Sequence, residues 1–142
     1  MLKKQLPVVK NHIMNTYFTI LGWWNLIGSL LMIGFFNESF GKKALNDWTK
    51  IFATEFKLDY WSKFWLAWAI GLNIFFALIN ILVAYYNVEV LMLFILIFDI
   101  FAYTAFISLA VWGALLNHLG KGINSVFIIF FFWLVWGIGL LF

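Results

Sequence analysis

The chain has 142 residues and no cysteine. Disulfides, thiol redox chemistry, haem attachment through cysteine and thiolate metal sites are therefore excluded. Arginine is absent too, and all nine cations are lysines. Arginine's planar fork is the usual clamp for phosphate and carboxylate groups, so its absence argues against an enzyme of nucleotides or phospholipid headgroups. The single proline, Pro7, precedes every long apolar run. Paired broken helices, the usual mark of a substrate site in secondary transporters, are not encoded here. Charged residues are only 11% of the chain, against about a quarter in soluble domains.

What the chain has is apolar and aromatic. Hydrophobic residues make up 65% and aromatics 23%, with eighteen Phe and nine Trp. Such a chain uses lipid as its main solvent. Four runs are long enough to cross a hydrocarbon core of roughly 30 Å at 1.5 Å per residue: Tyr17–Phe36, Ser62–Tyr86, Glu89–Leu116 and Ile123–Phe142. They lack the alternation of barrel strands. The expected fold is all-α: one polytopic domain over residues 1–142, a four-helix transmembrane bundle. Tyr17, Tyr85 and Tyr86 at one end, and Tyr60, Trp61, Trp65 and Trp112 at the other, read as interfacial belts. The first run is too long for the roughly 7–15-residue core of a signal peptide.

Four spans put both termini on one side, face A, with Lys3, Lys4 and Lys10. The opposite side, face B, holds Lys42, Lys43, Lys50, Lys57, Lys63 and Lys121. Four acids in the first loop offset those cations, so charge does not decide the orientation. The formal charge of +3 reads as membrane-surface charge, with no basic stripe for nucleic acid. Residues 85–89, "YYNVE", make a tight hairpin between spans two and three. Gly120 and Gly122 punctuate the turn between spans three and four. In the long first loop, Ala44, Leu45, Trp48, Ile51, Phe52 and Phe56 recur at helical spacing, which predicts an interfacial amphipathic helix over residues 43–57.

Polar and small residues gather on one face of three spans. In span one these are Asn15, Gly22, Asn25 and Ser29, with Phe18 and Met32 between. In span two they are Ala69, Asn73, Ala77, Asn80, Ala84 and Asn87. In span three they are Asp99, Tyr103, Ala110, Gly113 and Asn117, with Phe106. Span four has Gly122, Ser125, Phe132, Trp136 and Gly139 as its nearest equivalent and no polar residue near its middle. Small residues permit close approach and polar groups bond across helices, so these seams mark the packed sides.

One acid, Asp99, lies inside "LMLFILIFDIFAYTAFI" (residues 91–107). A charged acid at the centre of a span costs at least roughly 2.5–3.5 kcal/mol on insertion scales. No lysine stands nearby in the spans, and His12 and His118 lie towards opposite faces. A neutral carboxyl is expected unless water or a cation reaches it. By depth, Asn25, Asn80 and Asp99 are expected to share one layer, with Tyr103 a turn deeper near Ser29 or Asn73. These six residues are the candidate site: a structural polar knot, a proton- or cation-handling site, or a pocket for a lipid or quinone head. Trp23 and Trp24 read as packing or lipid contact, and Asn37, Glu38 and Ser39 form a sequon too close to the membrane for glycosylation.

No paired carboxylates, HExxH, phosphate loop or catalytic triad is placed at one depth, and no metal set is present. The expected function is a small non-enzymatic accessory or assembly subunit of a membrane complex. It would meet the bilayer and a protein partner or second copy through span four or the 43–57 helix. The alternatives are a homo-oligomeric channel or proton-coupled carrier using Asp99, and a lipid- or quinone-binding protein or enzyme with a buried polar pocket.

Overall fold

The structure, a computed structural model, describes residues 2–53, 58–116 and 118–142, with side chains from Asn11 onward. Its order is α1 (Leu2–Ile33, with a further 3-10 turn at Gly34–Phe36), α2 (Glu38–Lys42, running on as a π-helical segment over Lys43–Trp48), α3 (Tyr60–Tyr86), α4 (Glu89–Leu115) and α5 (Ile123–Leu141). There are no strands among the described residues. A lipid solvent offers no partner to a free peptide group, so apolar runs of this length close their backbone bonds internally as helices. The spans are Asn11–Phe36, Tyr60–Tyr86, Glu89–Leu115 and Ile123–Leu141.

The first span thus begins six residues earlier than the aromatic belt implied, and Tyr17 is corrected with it. Its ring is fully buried, edge-on to Trp133 and Trp136 with centroids 5.8 and 5.3 Å away. Tyr85 and Tyr86, and Tyr60, Trp61, Trp65 and Trp112, are exposed.

Local chemistry sets the joints. Asn37 caps α2 by accepting from the Phe40 amide at 3.2 Å, and Asp59 caps α3 by accepting from the Ser62 amide at 2.7 Å. These oxygens satisfy donors that a helix start leaves free. Asn87 ends α3 in the left-handed conformation, φ 53°, a position asparagine tolerates. Val88 alone then separates it from α4.

The helix of the first loop departs from expectation. It occupies residues 38–48 rather than 43–57, and it stops where Lys50 takes φ 51°. Residues 50–53 then run beside the α4–α5 turn. The Ala53 amide donates to His118 (3.2 Å), Gly120 to Ile51 (2.7 Å) and Gly122 to Lys50 (3.0 Å). Those bonds form a strap across face B, with Phe52 bridged antiparallel to Leu119. Gly120 and Gly122 therefore do more than punctuate a turn, because backbone passes where their side chains would be. Phe56 and Lys57 of the predicted helix, and Asn117 of the span-three seam, lie outside the described residues.

Packing is uneven. α1 lies along α3 and α4 along α5, and these two pairs meet each other more thinly through α1–α5 and α3–α4. Gly22 permits the first pairing, since a Cβ there would stand 2.9 Å from the Ala77 carbonyl oxygen. The core holds Met14, Phe18, Leu21, Val83, Met92, Leu96 and Trp133. In α5 the inward residues are Ile123, Trp133, Gly137 and Leu140, while Ser125, Phe132 and Gly139 are exposed. The predicted α5 register is therefore rotated by about one residue. In α4, Phe106 is also exposed.

Candidate functional site

The six candidate residues collect between the two helix pairs, at two levels. The deeper level is a closed hydrogen-bond network. The Asn73 amide donates to the Ser29 hydroxyl at 2.9 Å and to the Asn25 carbonyl at 3.2 Å. Ser29 donates to the same Asn25 carbonyl at 2.7 Å. The Asn25 side chain stands 3.5 Å from the Tyr103 hydroxyl, within reach in either direction. This network joins α1, α3 and α4 near mid-membrane. Bonds of this kind average about 0.6 kcal/mol in membranes, so their main effect is to fix register.

Nearer face A, one turn from Tyr103 along α4 and about two turns from Asn73 and Asn25 along α3 and α1, the bookkeeping fails to close. Asp99 on α4 and Asn80 on α3 are wholly buried. Asn80 donates to the Phe76 carbonyl of its own helix at 2.9 Å, and its side-chain oxygen receives nothing. The Asn80 amide lies beside the Asp99 carboxyl, yet neither carboxyl oxygen accepts a bond of sound geometry. The third member was not foreseen. Tyr17 on α1 also has a buried hydroxyl without a partner, within electrostatic range of both Asp99 and Tyr103. Gly137 of α5 lies against it: a Cβ there would be 3.2 Å from that hydroxyl.

Among the described residues, the unpartnered buried side-chain polar atoms are Tyr17 Oη, Asn80 Oδ1, Asp99 Oδ1 and Asp99 Oδ2. All four are oxygens from three helices, and Asn80 and Tyr17 each lie within interaction range of Asp99. Leaving a buried polar group unpaired costs about 1–3 kcal/mol. Asn25, expected in this layer, instead belongs to the network below it. A seam extends towards face A, where Asn15 donates to the Ala84 carbonyl at 2.6 Å and Asn11 to the Glu89 carboxylate.

Two open grooves mark the outer surface. One, about 520 Å³, is lined by Ile107, Phe127, Ile128, Phe131, Phe132 and Val135 of α4 and α5. The other, about 430 Å³, is lined by Phe64, Ala67, Trp68, Gly71 and Leu72 of α3. Neither is lined by Asp99, Asn80 or Tyr103, so neither is a pocket that buries a polar head against them. Trp23 and Trp24 are exposed, as lipid-facing residues are. No three His, Asp or Glu side chains come together among the described residues.

Four apolar helices around a buried polar layer fit a small multi-pass membrane protein. Comparison with models of known families, with curated proteins and with solved structures gives no match.

Proposed function

We propose that the protein is a proton-coupled membrane carrier in which Asp99 takes up and releases the coupling proton. The observation that carries this is the contrast between the two levels. A fastener is expected to satisfy its own hydrogen bonds, as Asn25, Ser29, Asn73 and Tyr103 do. Asp99 sits one turn away with both oxygens unpartnered, and intramembrane acids are commonly functional. Among the described residues the cross-helix polar bonds run from face A to the Ser29 and Asn73 level. That favours alternating access over an open channel, with the face-B strap closed in this state.

Infrared difference spectroscopy on the reconstituted protein tests the proposal. The carboxylic acid C=O band of Asp99 is expected to appear and vanish reversibly with bulk pH, and to be missing in Asp99→Asn. A wild-type protein with no titrating band that Asp99→Asn removes, its helices intact by circular dichroism, would overturn it.

A second reading is the accessory subunit, supported by the wholly apolar groove between α4 and α5. A partner helix or a second copy seated there would bury Ile128, Phe131 and Phe132. Native mass spectrometry after gentle extraction should then find a stoichiometric companion, and a free monomer counts against it.

A further inference from the structure

The unpartnered atoms at the Asp99 level share a chemical character. They are the two oxygens of one carboxyl, an amide oxygen and a phenol oxygen; the phenol O–H is the one donor among them when Asp99 is ionised. With Asp99 ionised, four oxygens share that single hydrogen, so the layer is rich in acceptors and short of positive charge. Hard cations take carboxylate and carbonyl oxygens. A divalent ion would leave net positive charge in lipid beside one carboxylate, but a monovalent ion is neutralised by it. We infer that Asp99, Asn80 and Tyr17 form a binding site for a monovalent cation of the sodium class, which exchanges with the proton on the same carboxyl.

This rests on the proton-carrier proposal and names its coupled substrate. The exchange balances: as the cation binds, the Asp99 carboxyl gives up one proton, and the layer stays neutral in both states. The titratable groups near Asp99 are Tyr17 of α1 and Tyr103 of its own helix. α3 contributes the Asn80 amide, and α5 has no titratable side chain in its sequence. Among the described residues, nothing else charged therefore competes for the cation near Asp99. Tyr17 is held for the task by Gly137, which leaves room for its hydroxyl, and by the rings of Trp133 and Trp136.

The test titrates the Asp99 acid band with pH in sodium chloride and in choline chloride of equal ionic strength. A metal that needs the deprotonated ligand competes with the proton. Once sodium exceeds its dissociation constant, the midpoint should fall by about one pH unit per tenfold rise in sodium. Tyr17→Phe and Asn80→Ala should keep a titrating band but weaken this sodium dependence by at least about tenfold in concentration. A band that titrates identically in both salts would overturn the cation site while the proton proposal stands. A band that never titrates would overturn both. A full sodium shift retained in the double variant would overturn the assignment of Tyr17 and Asn80. The wild-type comparison needs no variant to fold.

Discussion

The Asn73 amide of α3 donates to the Ser29 hydroxyl of α1 at 2.9 Å, and both groups bond the Asn25 carbonyl. The α1–α3 pair is thus pinned at the depth where its neighbour α4 brings in Tyr103. Ser29 is fully buried and Asn73 half-buried. Ser29→Ala leaves the Asn73 amide its bond to the Asn25 carbonyl, so the expected loss is small, about 0.6 kcal/mol. Asn73→Leu removes both cross-helix bonds and should cost more, up to about 1.7 kcal/mol. Thermal unfolding in detergent measures the order, and neither change should alter the pH titration of Asp99.

Gly22 gives a sharper test of the same pairing. A Cβ at this position would meet the Ile81 Cγ1 atom at 2.6 Å and the Ala77 carbonyl oxygen at 2.9 Å. A side chain can turn away, but helix backbone cannot. Gly22→Ala is expected to push α1 from α3 and destabilise by about 1–3 kcal/mol. Gly28 has open space at the same test. Gly28→Ala should be neutral or stabilising, by up to about 1 kcal/mol through helix propensity. The difference in Tm between the two variants is the measurement.

These residues also show how far the fold and site were legible. The four spans follow from uninterrupted apolar runs, and the Asn25, Ser29, Asn73, Asn80, Asp99 and Tyr103 set follows from polar atoms at helical spacing in lipid. Tyr17 did not, because a tyrosine near a span end has the signature of a belt. The six extra residues of the span, the rings of Trp133 and Trp136 and the fit against Gly137 bury it. A signal was present, since Tyr17 lies two turns before Asn25. The α5 register was hidden for a different reason. A helix that is apolar all round carries no pattern, so the choice of Trp133 and Gly137 over Phe132 and Gly139 is made by α1 and α4. The strap was invisible because Ile51 and Phe52 repeat at helical spacing, while their partners lie some 70 residues away in sequence at Gly120 and Leu119.

The start of α3 should respond to acid. Asp59 is exposed, and its carboxylate is held below the ordinary aspartate range by hydrogen bonds from the Ser62 hydroxyl and backbone amide. A depressed value means the charged cap favours the folded helix. Its contribution is present above the unfolded value and is lost as pH falls through the folded one. The Ser62 amide chemical shift should titrate with a midpoint below that of a free aspartate, with fraying of the first turn of α3. Asp59→Asn still accepts from the amide and should abolish the titration while keeping the turn.

The strap at face B offers the strongest steric prediction. A Cβ at Gly122 would fall 1.6 Å from the Thr49 carbonyl oxygen and 2.8 Å from the Lys50 carbonyl carbon. No rotamer relieves a clash with backbone, so Gly122→Ala must displace either the strap or the α4–α5 turn. The Ala53, Gly120 and Gly122 amides take part in the bonds that hold them together. Losing about 1.4 kcal/mol of local stability raises exchange through local opening tenfold. Amide exchange at positions 53 and 120 is therefore expected to rise at least about tenfold in Gly122→Ala. The amides of α1 and α3 around Asn25 and Asn80 should keep their protection. If those spans loosen as well, the strap is part of the bundle's stability. If only the strap loosens, it is a separable closure over face B, as a carrier sealed on that side requires.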